Sequence, residues 1–235
     1  MQSDSDIARL AVVTGSSSGI GQAIALGLLD AGWRVCGFDV SVPTIERSGF
    51  EAVQVDLCDA AATTAAARPF AGADALVHAA GVLRVGPLGQ LNADAGALMW
   101  RLHVEAVTRL ADVLLPAMAA AGHGRVVLVG SRVAQGKAGR SQYAATKAAL
   151  LGLARSWAAE VVAAGVTVNV VSPAATQTAM TDDPARRSEA PLLPPIGRLI
   201  RPDEIASLVT YLLSPAAAAI TGQDIVLCGG ASLPR

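Results

Sequence analysis

The stretch AVVTGSSSGIGQAIALGLLDAG, residues 11–32, decides the fold that we expect. It begins with a short apolar run, passes through a glycine-rich turn, and continues with apolar residues at helical spacing. Gly15 permits a tight turn, Gly19 lets the backbone approach a ligand closely, and Gly21 lets the helix pack against the strand. Because the N-terminus of such a helix presents free N–H groups, the turn predicts a phosphate site. The same turn could also simply end a strand, and this motif alone leaves both interpretations open.

Short apolar runs alternate with longer Ala- and Leu-rich segments along the rest of the chain, a pattern typical of a parallel sheet covered by helices. The predicted strands are 8–14, 34–40, 51–56, 74–79, 124–130, 166–172 and 224–229. Helical spacing is present at 20–32, 94–121, 142–164 and 202–214, and the segment 59–72 has room for about three helical turns. We therefore expect an α/β fold, a Rossmann-type, doubly wound, seven-stranded parallel sheet with helices on both faces.

Length and composition favour a single domain over residues 1–235, because 52% of the residues are hydrophobic, only 16% are charged, and no linker interrupts the pattern. Such a composition excludes a disordered chain. Residues 180–201 are the exception, since prolines and mixed charges there predict a long irregular loop. Long loops inside compact domains are often substrate lids, and we expect this one to be a lid.

Charge and cysteine content restrict the partners and the compartment. A net charge of −1 gives no general attraction for nucleic acid or an anionic membrane. The cysteines Cys36, Cys58 and Cys228 are odd in number and lack a C-x-x-C pattern, so free thiols in a reducing compartment fit best. The acidic start is unlike a signal peptide, and no run of about 20 apolar residues is present. We expect a soluble, cytoplasmic protein that needs no metal.

An aspartate ends the second predicted strand. Asp39 stands where a carboxylate can accept both ribose hydroxyls of an adenosine and repel a 2′-phosphate. No Arg or Lys occurs at 16–18 or directly after Asp39, so we predict NAD rather than NADP as the cofactor. Asp56, at the end of the third predicted strand, either meets the adenine edge or caps the following helix.

A Ser, a Tyr and a Lys form a candidate catalytic group. Tyr143 and Lys147 are one helical turn apart on the same face, and Ser131 ends the strand that precedes their helix. A phenol normally titrates near pH 10, which is too high for a base at neutral pH, but a neighbouring ammonium lowers that value. Ser131 would hydrogen-bond the substrate oxygen while Tyr143 gives or takes the proton. By spacing alone a Y-x-x-x-K pattern is common and usually structural.

In combination these motifs resemble the short-chain dehydrogenase/reductase family over nearly the whole chain. The segments that carry the resemblance are TGSSSGIG (14–21), HAAG (78–81), YAATK (143–147), VNVVSP (168–173), RPDEIA (201–206) and ITGQDIVLCGG (220–230). The resemblance implies a Rossmann sheet, a nicotinamide cofactor, catalysis by Ser131, Tyr143 and Lys147, and usually a homotetramer. Within the family, the segments 37–40, 78–91 and 225–233 are similar to 2,3-dihydro-2,3-dihydroxybenzoate dehydrogenases.

The motifs and the resemblance together give an expected set of cofactor-binding residues. They are Gly15, Ser17, Ser18, Gly19, Ile20, Gly21, Asp39, Val40, Asp56, Leu57, Ala79, Ala80, Gly81, Tyr143, Lys147, Pro173, Ala174, Thr176 and Thr178.

The chain departs from the family pattern at several of its sites. His103 stands where the family usually has an Asn that holds a water in the proton path through Lys147. An imidazole could replace that Asn and make activity dependent on pH near 6.5, or it could be a packed helix residue without a catalytic role. His78 replaces the first Asn of the family's N-N-A-G, where packing is the expected role. Ala174 follows Pro173 where a Gly is usual.

Several basic residues fall in loops around the expected substrate mouth. We hypothesise that one or two of Arg84, Arg132 and Arg140 bind an anionic group, because Arg binds carboxylates in a bidentate manner. Lys137, Arg186 and Arg187 lie in the same group of loops. The alternative is that solvated loops carry Arg in any case.

These observations favour an NAD-dependent enzyme that interconverts an alcohol and a ketone on a small metabolite, for which cyclic and carboxylated compounds are candidates. The alternatives are a dihydrodiol dehydrogenase of the dihydroxybenzoate type and a catalytically weak NAD-binding sensor or scaffold. A 3-oxoacyl reductase is less favoured because Asp39 indicates NAD. For assembly we expect a homotetramer through the helices that contain His103 and Lys147 and through the C-terminal strand.

Overall fold

The computed structural model describes residues 8–178 and 193–234, and seven strands there form one parallel sheet. The strands are β1 (Leu10–Thr14), β2 (Arg34–Asp39), β3 (Phe50–Gln54), β4 (Ala75–His78), β5 (Gly124–Val129), β6 (Val166–Pro173) and β7 (Asp224–Leu227). Their order across the sheet is β3-β2-β1-β4-β5-β6-β7, and every neighbouring pair is parallel. The predicted doubly wound α/β fold is confirmed.

Helices cover both faces of this sheet. They are α1 (Gly19–Asp30), α2 (Ala60–Ala67), α3 (Ala93–Trp100), α4 (Ala106–Ala121), α5 (Ser141–Val161) and α6 (Pro202–Leu212). Successive side chains of a strand point to opposite faces. In β1, Val12 is buried with α2, α4 and α5, whereas Ala11 and Val13 are buried with α1 and α6. A strand whose two faces are both buried needs apolar residues at successive positions, and this explains the continuous apolar runs in the sequence.

Two predicted helices differ from the structure. The segment 94–121 is not one continuous helix, because a π-turn at Arg101–Glu105 separates α3 from α4. A π-turn adds one residue to a helical turn and frequently marks a functional site. The segment 59–72 contains α2, of 8 residues, and a short 3₁₀ turn at Arg68–Phe70, so the helix is shorter than predicted.

The carboxyl ends of β1 and β4 meet where the strand order reverses. The Thr14 hydroxyl lies 3.0 Å from Nδ1 of His78 and accepts the backbone N–H groups of Ala79 and Ala80 at 3.1 and 3.0 Å. Gly15, with φ of +70°, passes so close that a Cβ atom there would lie 2.9 Å from Cα of Ala80. A crevice therefore opens at this edge, where α/β folds bind ligands.

The predicted lid falls largely on residues 179–192, which lie outside the described part of the chain, together with Arg186 and Arg187. The segment that follows rejoins the fold through a parallel bridge between Thr176 and Ile200. Within the described residues, no helix combines the length and the apolar character that crossing a membrane would require.

Candidate active site

A cleft of about 720 Å³ runs along the carboxyl edge of the sheet. Its walls come from the turn after β1, the ends of β2 to β6, and the N-terminal part of α5. This volume is in the range of cofactor and ligand pockets in general. The cleft therefore offers room for a dinucleotide and a small second ligand side by side.

The turn between β1 and α1 fits a phosphate-bearing ligand. Gly15 and Gly19 both have positive φ angles, of +70° and +56°, which side chains rarely adopt. Ser18 is the N-cap of α1, but its side chain makes no capping hydrogen bond, and the first turn of α1 has no acidic residue. The first N–H groups of α1 are thus not satisfied by a side-chain cap, and the helix dipole favours an anion there.

Asp39 joins this turn to the end of β2. Its Oδ2 accepts the backbone N–H of Ser17 at 2.9 Å, and its Oδ1 accepts that of Ser41 at 2.8 Å. The carboxylate is half-buried and lines the cleft. Each oxygen has a second lone pair, so both can still accept a hydrogen bond from a ligand hydroxyl.

Asp56 also lines the cleft, but it does not cap the helix that follows. Its Oδ1 accepts the backbone N–H of Cys58 at 2.8 Å. The N-cap of α2 is Asp59, whose Oδ1 accepts from Ala62 at 2.9 Å. Of the two predicted alternatives for Asp56, capping is therefore wrong, and the position beside a ligand remains.

Ser131, Tyr143 and Lys147 line one stretch of the cleft. Ser131 follows β5 and its Oγ accepts the backbone N–H of Val133 at 3.2 Å. Lys147 is 5% exposed, and its Nζ donates to the carbonyl of Val129 at 2.8 Å and lies 6.0 Å from the centroid of the Tyr143 ring. The structure thus brings together the three side chains predicted to carry the chemistry.

The electrostatics of this group depend on the buried Lys147. Burial lowers the pKa of its ammonium from about 10.5 to about 8, so the side chain is still mostly charged at neutral pH. Burial, and then this positive charge, lower the pKa of His78 to about 3 and that of His103 to about 2. Both histidines are fully buried and neutral at physiological pH. Of the two alternatives for His103, this environment favours the packed residue and opposes titration near pH 6.5.

Most of the predicted site residues line the cleft, but three do not. Ser17, within the turn, is only 8% exposed, and its backbone N–H donates to the Asp39 carboxylate. His103 lies beneath the cleft wall and contacts Tyr143 with an interplanar angle of 88°. Arg84 is exposed, and its guanidinium donates to the carbonyl of Leu83 at 3.1 Å. Arg84 is thus the one candidate substrate arginine that does not line the cleft.

The two other candidate substrate arginines do line the cleft. Arg140 is 9% exposed, and Arg132 donates to the carbonyl of Ala231 at 3.4 Å. Lys137 joins them in the wall, as do the apolar residues Leu98 and Pro194. No motif or spacing in the sequence indicated these apolar residues, because their positions depend on how separate loops pack.

Comparison with known proteins is consistent with this geometry. A family model described as enoyl-(acyl carrier protein) reductase matches residues 15–232. The chain is 36% identical to a 3-oxoacyl-[acyl-carrier-protein] reductase of Vibrio cholerae and 36% identical to a 2,3-dihydro-2,3-dihydroxybenzoate dehydrogenase of Escherichia coli. Each alignment covers 94% of this chain and 96% of the relative.

The solved structures agree. A short chain dehydrogenase/reductase family protein, 32% identical, superposes with a TM-score of 0.85 over 94% of this chain and 96% of its own. The chain belongs to the short-chain dehydrogenase/reductase family. A second member, a 3-oxoacyl (acyl-carrier-protein) reductase from Agrobacterium tumefaciens with NADP bound, is 30% identical with a TM-score of 0.84, over 94% of this chain and 93% of its own.

Membership of the short-chain dehydrogenase/reductase family makes the protein an oxidoreductase that uses a nicotinamide cofactor. The residues present fit that group, because Gly15 and Gly19 supply the positive φ angles of the turn and the first N–H groups of α1 have no side-chain cap. Within the described residues no cluster of three or more His, Cys, Asp or Glu side chains could hold a metal ion.

The lowered pKa of Lys147 gives a prediction for stability. The unfolded lysine has a pKa of about 10.4, so between pH 8 and pH 10 the unfolded state binds more protons than the folded state. The contribution of Lys147 to stability therefore rises with pH in that window. We expect the free energy of unfolding of the wild type, relative to K147M, to increase from pH 7.5 to pH 9.5 by an amount on the order of 2 kcal/mol.

Urea denaturation at a fixed protein concentration measures this difference. K137M is the matched control, because Lys137 is exposed, and it should show no such rise. A difference between wild type and K147M that stays flat with pH would show that Lys147 keeps an ordinary pKa.

Proposed function

We propose that the protein is an NAD-dependent oxidoreductase that interconverts a secondary alcohol and a ketone on a small, anionic metabolite. The observation that carries this proposal is the order of groups along one cleft. Asp39 and the glycine turn lie at one end, Ser131, Tyr143 and Lys147 line a further part of the wall, and the basic residues come from the segment 131–140. That order matches a dinucleotide whose reactive end faces a second ligand. We also propose that the chain is one domain.

Each side chain has a proposed step in the reaction. The nicotinamide cofactor supplies or receives the hydride when it is bound. The Ser131 hydroxyl donates a hydrogen bond to the substrate oxygen, and the Tyr143 phenol gives its proton to that oxygen in reduction or takes it in oxidation. Lys147, with its positive charge 6.0 Å from the ring centre, favours the deprotonated phenol. The main-chain carbonyl of Val129 holds the ammonium in place.

Removal of the Tyr143 hydroxyl tests the proposed proton transfer. We expect Y143F to lose turnover by about 10²- to 10⁴-fold, because the proton donor is removed while the ring and its packing remain. Affinity for NADH, measured by fluorescence titration, should stay within about twofold of the wild type, since the phenol is not expected to dominate cofactor binding.

The matched control is Y211F, which removes a phenol oxygen from an exposed residue of α6 and should change neither quantity. Full turnover by Y143F would eliminate the proposed proton path. A wild type that binds NADH tightly and turns over no substrate would instead support the sensor alternative.

The preference for NAD rests on the charge of Asp39. Its carboxylate lies in the cleft wall beside the phosphate-binding turn, and both of its oxygens are oriented by backbone N–H groups. All cationic residues in the described cleft wall come from the segment that runs from the end of β5 into α5, and none comes from the strands around Asp39. They are Arg132, Lys137, Arg140 and Lys147. A 2′-phosphate beside Asp39 would thus meet a negative charge with no basic residue of these wall segments to offset it.

We expect D39N to weaken NADH binding and strengthen NADPH binding, each by about tenfold, because the neutral amide keeps the shape but not the charge. Fluorescence titrations with both cofactors measure the change. D94N, at an exposed position of α3, is the control for the loss of a carboxylate. Tighter binding of NADPH than NADH by the wild type would contradict the assignment of NAD.

An anionic substrate is supported by the segment 131–140. It brings Arg132, Lys137 and Arg140 into the wall that also holds Ser131. Arg140 is the most buried of the three basic residues and directly precedes α5, which carries Tyr143. A buried guanidinium at this position can bind a substrate carboxylate through two parallel hydrogen bonds.

We expect R140Q to raise the KM for 2,3-dihydro-2,3-dihydroxybenzoate at least about tenfold, because a charge-assisted hydrogen bond contributes roughly 1.5–3 kcal/mol. The KM for the uncharged ring diol without the carboxylate should change little. R84Q is the matched control, since Arg84 is exposed outside the cleft. Equal effects of R140Q on the charged and the uncharged diol would exclude carboxylate recognition by Arg140.

Two relatives suggest different substrates within this class. The 36% identity to a dihydrodiol dehydrogenase supports a carboxylated ring diol, and the 36% identity to a 3-oxoacyl reductase supports a 3-oxoacyl thioester. A screen with NAD and the ring diol, and with NADH or NADPH and acetoacetyl-CoA, separates them. We favour the ring diol because Asp39 supports NAD, the usual oxidising cofactor. We also propose a homotetramer, with α4 and α5 at one interface.

A further inference from the structure

His103 does not line the cleft, but it connects two segments that do, the loop after β4 and the helix α5. Its Nε2 accepts the backbone N–H of Val82, in the loop after β4, at 3.0 Å. Its Nδ1 lies 2.8 Å from Oγ1 of Thr146, in the first turns of α5. The Thr146 hydroxyl in turn donates to the carbonyl of Tyr143 at 2.9 Å. A side chain outside the cleft thus joins the cofactor loop to the helix that carries Tyr143.

The hydrogen bonds of His103 define one tautomer. A backbone N–H can only donate, so Nε2, which receives the N–H of Val82, carries no proton. The ring is neutral because burial and the charge of Lys147 disfavour its cation, so the proton is on Nδ1. Nδ1–H then donates to Thr146, whose own proton goes to the Tyr143 carbonyl. Every polar atom in this series has one defined role.

His78 takes the opposite tautomer. The Thr14 hydroxyl already accepts two backbone N–H groups, so its own proton goes to Nδ1 of His78. The proton of this neutral ring is therefore on Nε2. Nε2 has no well-formed hydrogen-bond partner among the described residues. The backbone of Leu102 and His103, in the π-turn, is nevertheless close enough to raise the pKa of His78 slightly against the lowering caused by burial. His78 thus lies next to the π-turn that contains His103.

We propose that His103 is a positioning residue, fixed as the neutral Nδ1–H tautomer, that sets the place of Tyr143 in the cleft through Thr146. The inference rests on the proposed catalytic role of Tyr143 and deepens it. The ring of His103 also supports Tyr143 directly, since the two ring centres are 5.7 Å apart in an edge-to-face contact. A Cβ atom on Gly81 would lie 3.1 Å from Nε2, so the cofactor loop packs tightly on the imidazole.

This role differs from proton transfer by the imidazole. Both ring nitrogens already have partners, and neither partner is Lys147 or a cleft-lining atom of Tyr143. The titratable groups that face the ring are Lys147, His78 and Tyr143, and the two with resolved effects both oppose its protonation. His103 can therefore hold the wall in place without exchanging a proton during turnover.

The pair T146V and T146S tests the connection without changing the histidine. T146V removes the acceptor of Nδ1–H and the bond to the Tyr143 carbonyl, whereas T146S keeps the hydroxyl. With NAD and 2,3-dihydro-2,3-dihydroxybenzoate, or with NADH and acetoacetyl-CoA, we expect T146V to lower kcat at least about tenfold, because small displacements of a catalytic group are costly. T146S should restore kcat to within about threefold.

Two further readouts separate positioning from general structural damage. In T146V the pH of half-maximal kcat for oxidation should move upward, because a displaced phenol gains less from the Lys147 charge. NADH affinity should stay within about twofold. T64V, which removes a hydroxyl that back-bonds within α2, is the control and should change none of these quantities. If T146V had the kcat and the pH profile of the wild type, the positioning role would be excluded while the proposed function survived.

The tautomers can be measured without any substrate. In solid-state NMR of protein labelled with ¹⁵N-histidine, we expect His103 to show a protonated Nδ1 and His78 a protonated Nε2, unchanged from pH 5.5 to pH 9. The exposed His123, whose pKa is raised by its hydrogen bond with Asp74, should titrate and serves as the internal standard. A His103 that titrates in this range, or that carries its proton on Nε2, would overturn the inference even if no substrate were found.

Discussion

The Thr14 hydroxyl is the interaction on which the cleft depends. It accepts two backbone N–H groups from the segment after β4 and donates to His78, so all of its hydrogen-bonding capacity is used. The bonds hold the ends of β1 and β4 together at the point where the strand order reverses. Because Gly15 has no Cβ, the next peptide can pass against Ala80. The glycine turn after β1 and the loop after β4, which both line the cleft, are therefore aligned by the same contact.

A second constraint is electrostatic and comes from Lys147. Its ammonium is buried with one carbonyl acceptor from Val129, and no carboxylate lies in the described part of the cleft near it. The charge therefore acts on its surroundings without being neutralised, and it adds to burial, the larger cause, in disfavouring a charged His78 or His103. The same buried cation that we propose to act on the Tyr143 phenol therefore also helps to keep both histidines neutral.

The sequence predicted the sheet, its strands and most of the cleft, because periodicity and glycine spacing are local properties of the chain. It failed where position depends on packing. The π-turn at Arg101–Glu105 has no pattern of its own, since its apolar spacing continues that of α3 and α4. Arg84 was expected at the substrate because its loop leaves a strand at the correct edge, yet it does not line the cleft, and its guanidinium donates to the carbonyl of Leu83. Loop direction is set by contacts between distant segments, which spacing does not encode.

The proposed role of Thr146 could not be predicted from the sequence either. It stands inside the predicted YAATK segment, one residue before Lys147, and a helical position there gives no reason to suspect a function. Only the approach of His103 gives its hydroxyl a second partner.

Histidine fits at both positions where the chain departs from the family pattern, 78 and 103. At each one a hydrogen-bond donor of the fold fixes the tautomer of the imidazole. A hydroxyl proton from Thr14 fixes one tautomer at His78, and the N–H of Val82 fixes the other at His103. A buried imidazole without such a donor could exchange tautomers or charge, and its orientation would be less well defined. Here the donors are parts of the fold that the cofactor cleft requires in any case. His78 therefore contacts β1, and His103 joins the loop after β4 to α5, while burial and the charge of Lys147 oppose protonation of both rings.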